Sequence, residues 1–172
     1  MSGPRIRLAQ AADAAAMPQI EADAAALFSG EADLAGLDLS SPRSHEQYAA
    51  LVRKGRSLVA EDDGRVVGFI ACEPFGRELH VWELSVRPER QRQGLGALLL
   101  RAVLVDSRAS GFSAVTLTTF RDVPWNAPFY ARLGFAEVSD AAASTRLAKV
   151  LAKEVDAGLP ADRRMAMIRF LS

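Results

Sequence analysis

The sequence predicts a mixed α/β fold, and three observations support this. Segments with strand-like and helix-like spacing follow one another in the order β-α-α-β-β-β-α-β-α-β-α-β. The early strands are joined by short turns, which favour hairpins, whereas helices separate the later strands and favour crossovers. A length of 172 residues is enough to bury a substantial core. We therefore predict a single domain over residues 1–172, with a mixed sheet of six or seven strands.

The composition is that of a folded protein without an unusual charge. Its 21 Lys and Arg side chains balance 21 Asp and Glu, which argues against binding nucleic acid through overall positive charge. The single cysteine, Cys72, is predicted to be a core thiol and excludes a zinc site built on several cysteines. The N-terminus has no signal-like apolar region, and no apolar run reaches the length of a membrane span. We expect a cytoplasmic protein without a metal, engaging neither nucleic acid nor a membrane.

The first third of the chain is predicted as a strand followed by two helices. Residues 6–9 alternate as a short strand, and Asp13 caps an Ala-rich helix that runs to about residue 28. Pro18 requires either that this helix begins there or that it is kinked. The segment 29–44 is predicted as a loop, and its last residue, Ser44, caps the second helix.

A hairpin and a further strand are predicted next. Asp63-Gly64 supplies the positive φ of a tight turn, and residues 74–76 form a second turn. Gly68 indicates either close packing or a bulge within the second strand. The three strands are predicted at 57–61, 66–73 and 78–86.

The segment after residue 86 has the composition of an anion-binding loop. It runs from Val86-Arg87-Pro88 through Gln91-Arg92-Gln93-Gly94-Leu95-Gly96 into a helix over 97–110. Loop N–H groups and the positive end of a helix dipole come together in such a segment. A dinucleotide fingerprint is incomplete, because Leu99 replaces the third Gly and no acid follows near residue 116. The Gly-Lys-Ser/Thr of a nucleoside triphosphate loop is absent as well.

The last third of the chain is predicted to alternate strands and helices. Asn126 caps a short helix over 127–133, and Gly134 ends it. A helix over about 142–157 precedes the last strand and has an apolar stripe of Leu147, Val150, Leu151 and Val155. The strands of this region are predicted at 114–120, from 135 onward and at 165–171.

Two motifs of this chain resemble those of the GNAT superfamily of N-acetyltransferases. The first is the signature Gln/Arg-x-x-Gly-x-Gly/Ala, present at residues 91–96 after a strand that ends in Val-x-Pro. The second is Asn126, followed by Tyr130 and then by Gly134-Phe135, with the expected strand between the two motifs. The helix over about 142–157 departs from the many family members whose last two strands form a hairpin.

The resemblance implies a mostly antiparallel, splayed sheet with helices on both faces. Acetyl-CoA would lie where the strand ending at Val86 and the strand beginning near Val115 part, and its pantetheine amides would pair with the strand backbone. Asn126 would either bond this arm or only cap its helix. The implied cofactor-binding residues are Leu84, Ser85, Val86, Gln91, Arg92, Gln93, Gly94, Leu95, Gly96, Ala97, Asn126, Phe129 and Tyr130.

Acetyl transfer to an amine needs a base for the ammonium, a donor for the developing oxyanion and an acid for the leaving thiolate. The resemblance assigns the acid to Tyr130. His80 and Glu83 are both candidates for the base, and water leading to bulk solvent is the third. Their odd spacing places them on opposite faces of a regular strand unless a bulge intervenes. The backbone N–H of Val86 or Leu84 is the expected oxyanion donor.

The sequence thus predicts an N-acetyltransferase that moves the acetyl group of acetyl-CoA to a primary amine of a small molecule or peptide in a ternary complex. The alternatives are an acyl-CoA-binding sensor without catalysis and a transferase for a longer acyl-CoA. Acceptor specificity is expected from residues 27–45, 74–78 and 120–125, whose acids either attract a cationic amine or are simply solvated. Those acids are Glu31, Asp33, Asp38 and Asp122, and the aromatic residues there are Phe75 and Trp125. We also expect a homodimer, as in many family members.

Overall fold

The computed structural model describes residues 3–30, 34, 42–138 and 144–172. Contacts divide the chain into two compact units. The first unit contains Met1–Pro74 and Val81–Asp106, and the second contains Phe75–His80 and Ser107–Ser172.

In the residues that the structure describes, seven strands form one sheet, within the range predicted. The strands are β1 Arg5–Leu8, β2 Leu58–Asp62, β3 Arg65–Phe75, β4 Glu78–Val86, β5 Ala114–Phe120, β6 Ala136–Glu137 and β7 Arg164–Phe170. The helices are α1 Met17–Ala25, α2 His45–Arg53, α3 Leu95–Ala109, α4 Ala127–Arg132 and α5 Thr145–Asp156. The strand order is β1-β2-β3-β4-β5-β7-β6, and the pairs β1–β2, β2–β3, β5–β7 and β6–β7 are antiparallel. In the described part of the chain, no helix is long and apolar enough to cross a bilayer.

The core of the first unit forms from the buried faces of α1, α2, β2 and β3. Met17 and Ile20 of α1 are fully buried in it. Tyr48 of α2 and Phe69 of β3 meet edge to face, with ring centroids 5.1 Å apart. Because this packing holds α1 and α2 in place, it also sets the positions of the polar side chains at its border.

The predicted helix from Asp13 to about residue 28 is wrong as a single element. A 3₁₀ turn at Ala11–Ala15 precedes α1, and another at Ala26–Gly30 follows it. Pro18 lies in the first turn of α1, where its missing N–H costs no helical hydrogen bond. Asp13 does not cap α1, because its carboxylate accepts from the Gln10 backbone at 2.7 Å and pairs with Arg7 at 2.8 Å.

The turns and caps of α2 and the first hairpin are confirmed. Ser44 Oγ accepts from the Gln47 backbone N–H at 3.1 Å, and the Gln47 side chain returns to the Ser44 backbone at 2.8 Å. This reciprocal pair is a capping box. Asp63 and Gly64 have the predicted positive φ of 48° and 74°.

Gly68 lies both at a bulge and at a close packing contact, which the sequence analysis gave as alternatives. The register between β2 and β3 shifts between Ala60 and Glu61, which marks a bulge. A Cβ on Gly68 would lie 3.1 Å from the Ser85 carbonyl oxygen and 3.5 Å from the Leu99 side chain. The glycine therefore allows β3, β4 and α3 to pack closely just before the basic loop. Beyond it, β3 continues through Phe75, so the second turn begins at Gly76 rather than at residue 74.

In the second unit, the last strand lies between two earlier strands. β7 pairs with β5, where Leu117 faces Met167, and with β6, where Ala136 faces Ile168. α5 begins at Thr145, with Ser144 Oγ accepting from the Leu147 N–H at 3.4 Å. Leu147 is buried, as its place in the predicted apolar stripe requires. The start predicted near residue 142 lies outside the described residues.

Candidate active site

The loop between β4 and α3 is held in shape by its own side chains. Gln91 Nε2 donates to the Val86 carbonyl oxygen at 2.9 Å. Arg87 Nε donates to the backbone of β3 at 2.8 Å, and Arg90 pairs with Asp62 at the end of β2. These bonds fix the loop relative to the sheet.

The same loop has the backbone features of an anion site. Arg92 and Gly94 adopt left-handed φ values of 60° and 79°, and residues in that conformation contribute to concave arrangements of N–H groups. α3 follows at once, and its first-turn N–H groups have no intrahelical partners. A cavity of about 100 Å³ lies here, lined by Pro4, Arg90, Gln93, Gly94, Leu95 and Leu98. α3 begins at Leu95, two residues earlier than predicted.

Glu83 is a largely buried carboxylate near the end of β4, with a side chain 26% exposed. Its Oε1 accepts a hydrogen bond from Ser85 Oγ at 2.8 Å, and its Oε2 lies 3.6 Å from Arg43 Nη1. Burial, followed by the nearby charge of Glu21, raises the pKa of Glu83 to about 7, although Arg43 opposes the shift. A carboxyl group with this pKa both takes up and releases protons at neutral pH.

Glu21 of α1 lies beside Glu83 and is held by two donors. Its Oε2 accepts from Tyr48 Oη at 2.5 Å and from the Arg43 backbone N–H at 2.9 Å. Burial raises the pKa of Tyr48, so the hydroxyl keeps its proton and acts as the donor. The two carboxylates share one guanidinium, because Arg43 Nη1 is also 3.6 Å from Glu21 Oε1.

His80, the other predicted base, is fully buried in the second unit. Its Nδ1 lies 2.9 Å from Thr116 Oγ1 and 3.1 Å from Arg146 Nη1. Since a guanidinium carries only donors, Nδ1 is the acceptor of this contact, and the ring proton of the neutral imidazole belongs on Nε2. The structure thus describes the two candidate bases in different units and in different surroundings.

Asn126 does not cap its helix through its side chain, which corrects the prediction. Its Oδ1 accepts from Thr119 Oγ1 at 2.7 Å and faces the Phe120 backbone N–H at 3.5 Å. Only the Asn126 backbone carbonyl bonds into α4, accepting from the Tyr130 N–H at 3.0 Å. The interpretation of Asn126 as a cap alone is therefore wrong, and its side chain is fixed against the end of β5.

Tyr130 lies on α4 within an aromatic group. Its ring meets Phe129 edge to face at a centroid distance of 5.1 Å and Phe135 at 5.9 Å. Its backbone carbonyl accepts from the Phe135 N–H at 3.1 Å, which ties the loop after α4 back onto the helix. These contacts hold the phenol ring in a defined orientation, as a positioned proton donor requires.

The other residues considered for acceptor binding have structural contacts in the second unit. Asp122 pairs with Arg163, at 3.0 Å between Oδ1 and Nη2. Phe75 meets His80 edge to face at 6.3 Å, and the Arg146 guanidinium lies 4.6 Å from the centre of the Phe75 ring. These contacts favour loop anchoring over acceptor binding. Glu31, Asp33 and Asp38 lie outside the described residues.

Sequence reasoning missed Glu21, Arg43 and Tyr48. A signal for Glu21 was present, because it directly follows Ile20 and stands four residues after Met17, both fully buried. An acid on the apolar side of a helix is costly unless it is bonded. Arg43 and Tyr48 have no such local signal, since their roles depend on Glu21 of another helix.

Comparison with family models matches the chain to the Acetyltransferase (GNAT) family over residues 23–135, about two thirds of its length. The chain is 37% identical over 67 residues to N-acetyltransferase family 8 member 3 of Mus musculus, covering 36% of this chain and 30% of the mouse protein. It is 32% identical over 108 residues to an uncharacterized N-acetyltransferase of Schizosaccharomyces pombe, covering 58% of this chain and 66% of the yeast protein. The chain thus spans less than a third of the mouse relative's length.

Among solved structures, the fold resembles that of the PaiA N-acetyltransferase of Thermoplasma acidophilum, crystallised in complex with coenzyme A. The match has a TM-score of 0.72, covers 99% of both chains and has 16% sequence identity. At this identity, the likeness establishes a common fold.

Proposed function

The chain belongs to the acetyltransferase (GNAT) family, and from that membership we propose that it moves the acetyl group of acetyl-CoA to a primary amine of a small molecule or peptide. The amine attacks directly, in a ternary complex. The observation that carries this proposal is Glu83, a carboxyl group that exchanges protons at neutral pH, on the strand that leads into the Gly-containing loop. A base and a donor-binding loop on one continuous segment suit a transfer that depends on positioning.

The donor site that we propose begins at the loop after β4. The left-handed Arg92 and Gly94 and the start of α3 offer N–H groups beside the cavity. These features suit the pyrophosphate of coenzyme A, an anion with many acceptor oxygens. When bound, acetyl-CoA supplies an acetyl group activated as a thioester. The residues that we assign to it are those of the sequence prediction, at 84–86, 91–97, 126, 129 and 130.

We assign the base to Glu83 rather than to His80. Burial and the nearby charge of Glu21 raise the pKa of Glu83, which strengthens its carboxylate as an acceptor for the proton of the ammonium. His80 has the guanidinium of Arg146 at Nδ1, and its other nitrogen carries the ring proton in that tautomer. His80 therefore supports the beginning of β4, whereas Glu83 serves the reaction.

The proton balance of the transfer assigns the remaining roles. The ammonium gives one proton to Glu83, and the freed lone pair forms the C–N bond at the thioester carbonyl. A backbone N–H of Leu84 or Val86 stabilises the developing oxyanion. As the C–S bond breaks, Tyr130 Oη gives its proton to the sulfur, and the second proton of the new amide nitrogen restores the tyrosine through solvent. The amide Nδ2 of Asn126 is suited to hold a pantetheine carbonyl, since its Oδ1 is used by Thr119.

The substitution Tyr130→Phe tests this assignment. It removes one oxygen and keeps the ring contacts with Phe129 and Phe135. We expect kcat to fall by about 10²-fold, because general acid catalysis contributes roughly that much. Isothermal titration of acetyl-CoA should give a Kd close to that of the wild-type protein. Wild-type turnover by Tyr130→Phe would remove Tyr130 from the mechanism.

A further inference from the structure

The carboxylates of Glu21 and Glu83 are not equivalent. Glu21 Oε2 accepts from two donors, Tyr48 Oη at 2.5 Å and the Arg43 N–H at 2.9 Å, and its side chain is 15% exposed. Glu83 accepts from Ser85 Oγ at 2.8 Å, and its other hydrogen-bond partner is the Glu21 carboxyl group itself. Because donors stabilise the ionised form, the negative charge is better held on Glu21.

The shared guanidinium is insufficient to neutralise both acids. Arg43 Nη1 is 3.6 Å from one oxygen of each carboxylate, longer than a charged hydrogen bond. The Arg43 guanidinium also lies 5.7 Å from the centre of the Trp82 ring. With both acids ionised, Glu21, Glu83 and Arg43 carry a net charge of minus one. The acid with fewer donors, Glu83, is therefore the one that takes up a proton.

We propose that Glu21 is a positioning residue for acetyl transfer: it keeps its negative charge beside Glu83 and makes Glu83 a stronger base toward the acceptor ammonium. Tyr48 and the Arg43 N–H both donate hydrogen bonds to the Glu21 carboxylate, so the tyrosine acts through Glu21. Neither Glu21 nor Tyr48 needs to touch the acceptor for this role. The inference rests on the proposed function, in which Glu83 is the base.

Among the described residues, the charged and titratable groups around Glu83 lie on α1, in the segment before α2 and on α2. They are Glu21, Arg43 and Tyr48, in that order. Arg43 opposes protonation of Glu83 and Glu21 favours it, whereas Tyr48 stays neutral because burial raises its pKa. Loss of the Glu21 charge leaves Arg43 without an opposing neighbour, so Glu83 then holds its proton less strongly.

The pH dependence of Glu21→Gln tests this inference. The acid limb of kcat/KM reports the ionisation of the base in the free enzyme. We expect this limb to move to lower pH by about one unit, since removal of a like charge lowers the pKa of a carboxyl group. The plateau rate should fall several-fold, because the base is weaker. Glu21→Asp keeps the charge and should return the limb toward its wild-type position.

Asp23→Asn is the matched control on the same helix. Asp23 accepts from Gln19 at 2.7 Å on the exposed side of α1, and its neutralisation should leave the limb unchanged. A variant that only perturbs folding would lower kcat without moving the limb. If the acid limb of kcat/KM moves equally in Glu21→Gln and Asp23→Asn, the positioning role of Glu21 is overturned.

Carboxyl-labelled glutamate NMR separates this inference from the proposed function. The Glu83 signal, assigned through Glu83→Gln, should titrate near pH 7 in the wild-type protein and lower in Glu21→Gln. Tyr48→Phe, which keeps the buried ring, should also lower the titration midpoint of Glu83. If Glu21→Gln does not fold, this second variant tests the inference in its place. An unchanged midpoint in the folded variants would overturn the inference. If the Glu83 signal titrates at the predicted midpoints but no amine is acetylated, only the proposed function is overturned.

Discussion

At the scale of single residues, the proposed base, Glu83, lowers the stability of the folded protein. Glu83 has a side chain only 26% exposed, beside a second carboxylate. Its raised pKa means that the folded protein binds a proton more tightly than the unfolded chain does. The property that suits Glu83 to accept a proton from an ammonium therefore destabilises the native state at neutral pH and above.

This cost predicts the pH dependence of stability for Glu83→Gln. The pKa rises from an ordinary value of 4.5 to about 7 on folding, so the wild-type protein should lose stability as pH rises through that interval. The variant lacks this loss and should gain about 3 kcal/mol relative to the wild type between pH 4.5 and 8. Urea unfolding at both pH values measures the difference.

The control for this measurement is Glu89→Gln, at an acid 55% exposed in the loop after β4. This variant removes the same charge at an exposed position, so it serves as the reference for the urea unfolding of Glu83→Gln. If the two variants behave alike, Glu83 titrates as an ordinary surface carboxyl group, and its assignment as the base loses its support.

At the scale of elements, Arg146 explains part of the packing of α5. The guanidinium donates to Glu78 at 2.7 Å, to Thr116 Oγ1 at 3.0 Å and to His80 Nδ1 at 3.1 Å. One side chain of α5 thus joins the beginning of β4 to β5, within the second unit. The helix is therefore a structural support for the strand on which Glu83 also lies.

Arg146→Met should lower the free energy of unfolding by about 2 kcal/mol, since it leaves buried polar partners without their donor. Lys149→Met changes the same charge at an exposed position of α5 and should have an effect below about 0.5 kcal/mol. Urea unfolding of both variants measures the difference. Equal stabilities would show that Arg146 does not hold α5 against the strands.

At the scale of the whole molecule, local patterns predicted the elements whose determinants are close in sequence. The turn at Asp63-Gly64, the cap at Ser44 and the loop at 91–94 depend on the conformations and hydrogen bonds of neighbouring residues. The prediction was wrong where a side chain forms its hydrogen bonds with a residue of another element. Asn126 has a side chain suited to capping, yet Thr119 takes its Oδ1.

The same reason explains why Glu21, Arg43 and Tyr48, the residues around the proposed base, were missed. Asp13 has the residue type of a cap, yet it pairs with Arg7 of β1. Glu21 is paired through Tyr48, which is 27 residues away in the sequence. Spacing rules relate residues on one element, whereas these contacts follow from how α1, α2 and the strands pack. Glu83 could be named from the sequence, but its altered proton affinity could not.

The most direct test of the account is release of free thiol from acetyl-CoA with a panel of small amines and peptides, followed by the mass of the product. We predict that at least one amine gives thiol and acetylated product in equal amounts. Glu83→Gln should lower that rate by about 10² to 10⁴-fold with an unchanged Kd for acetyl-CoA. Tight binding of acetyl-CoA without turnover of any amine or peptide would contradict the account and favour a non-catalytic acyl-CoA sensor.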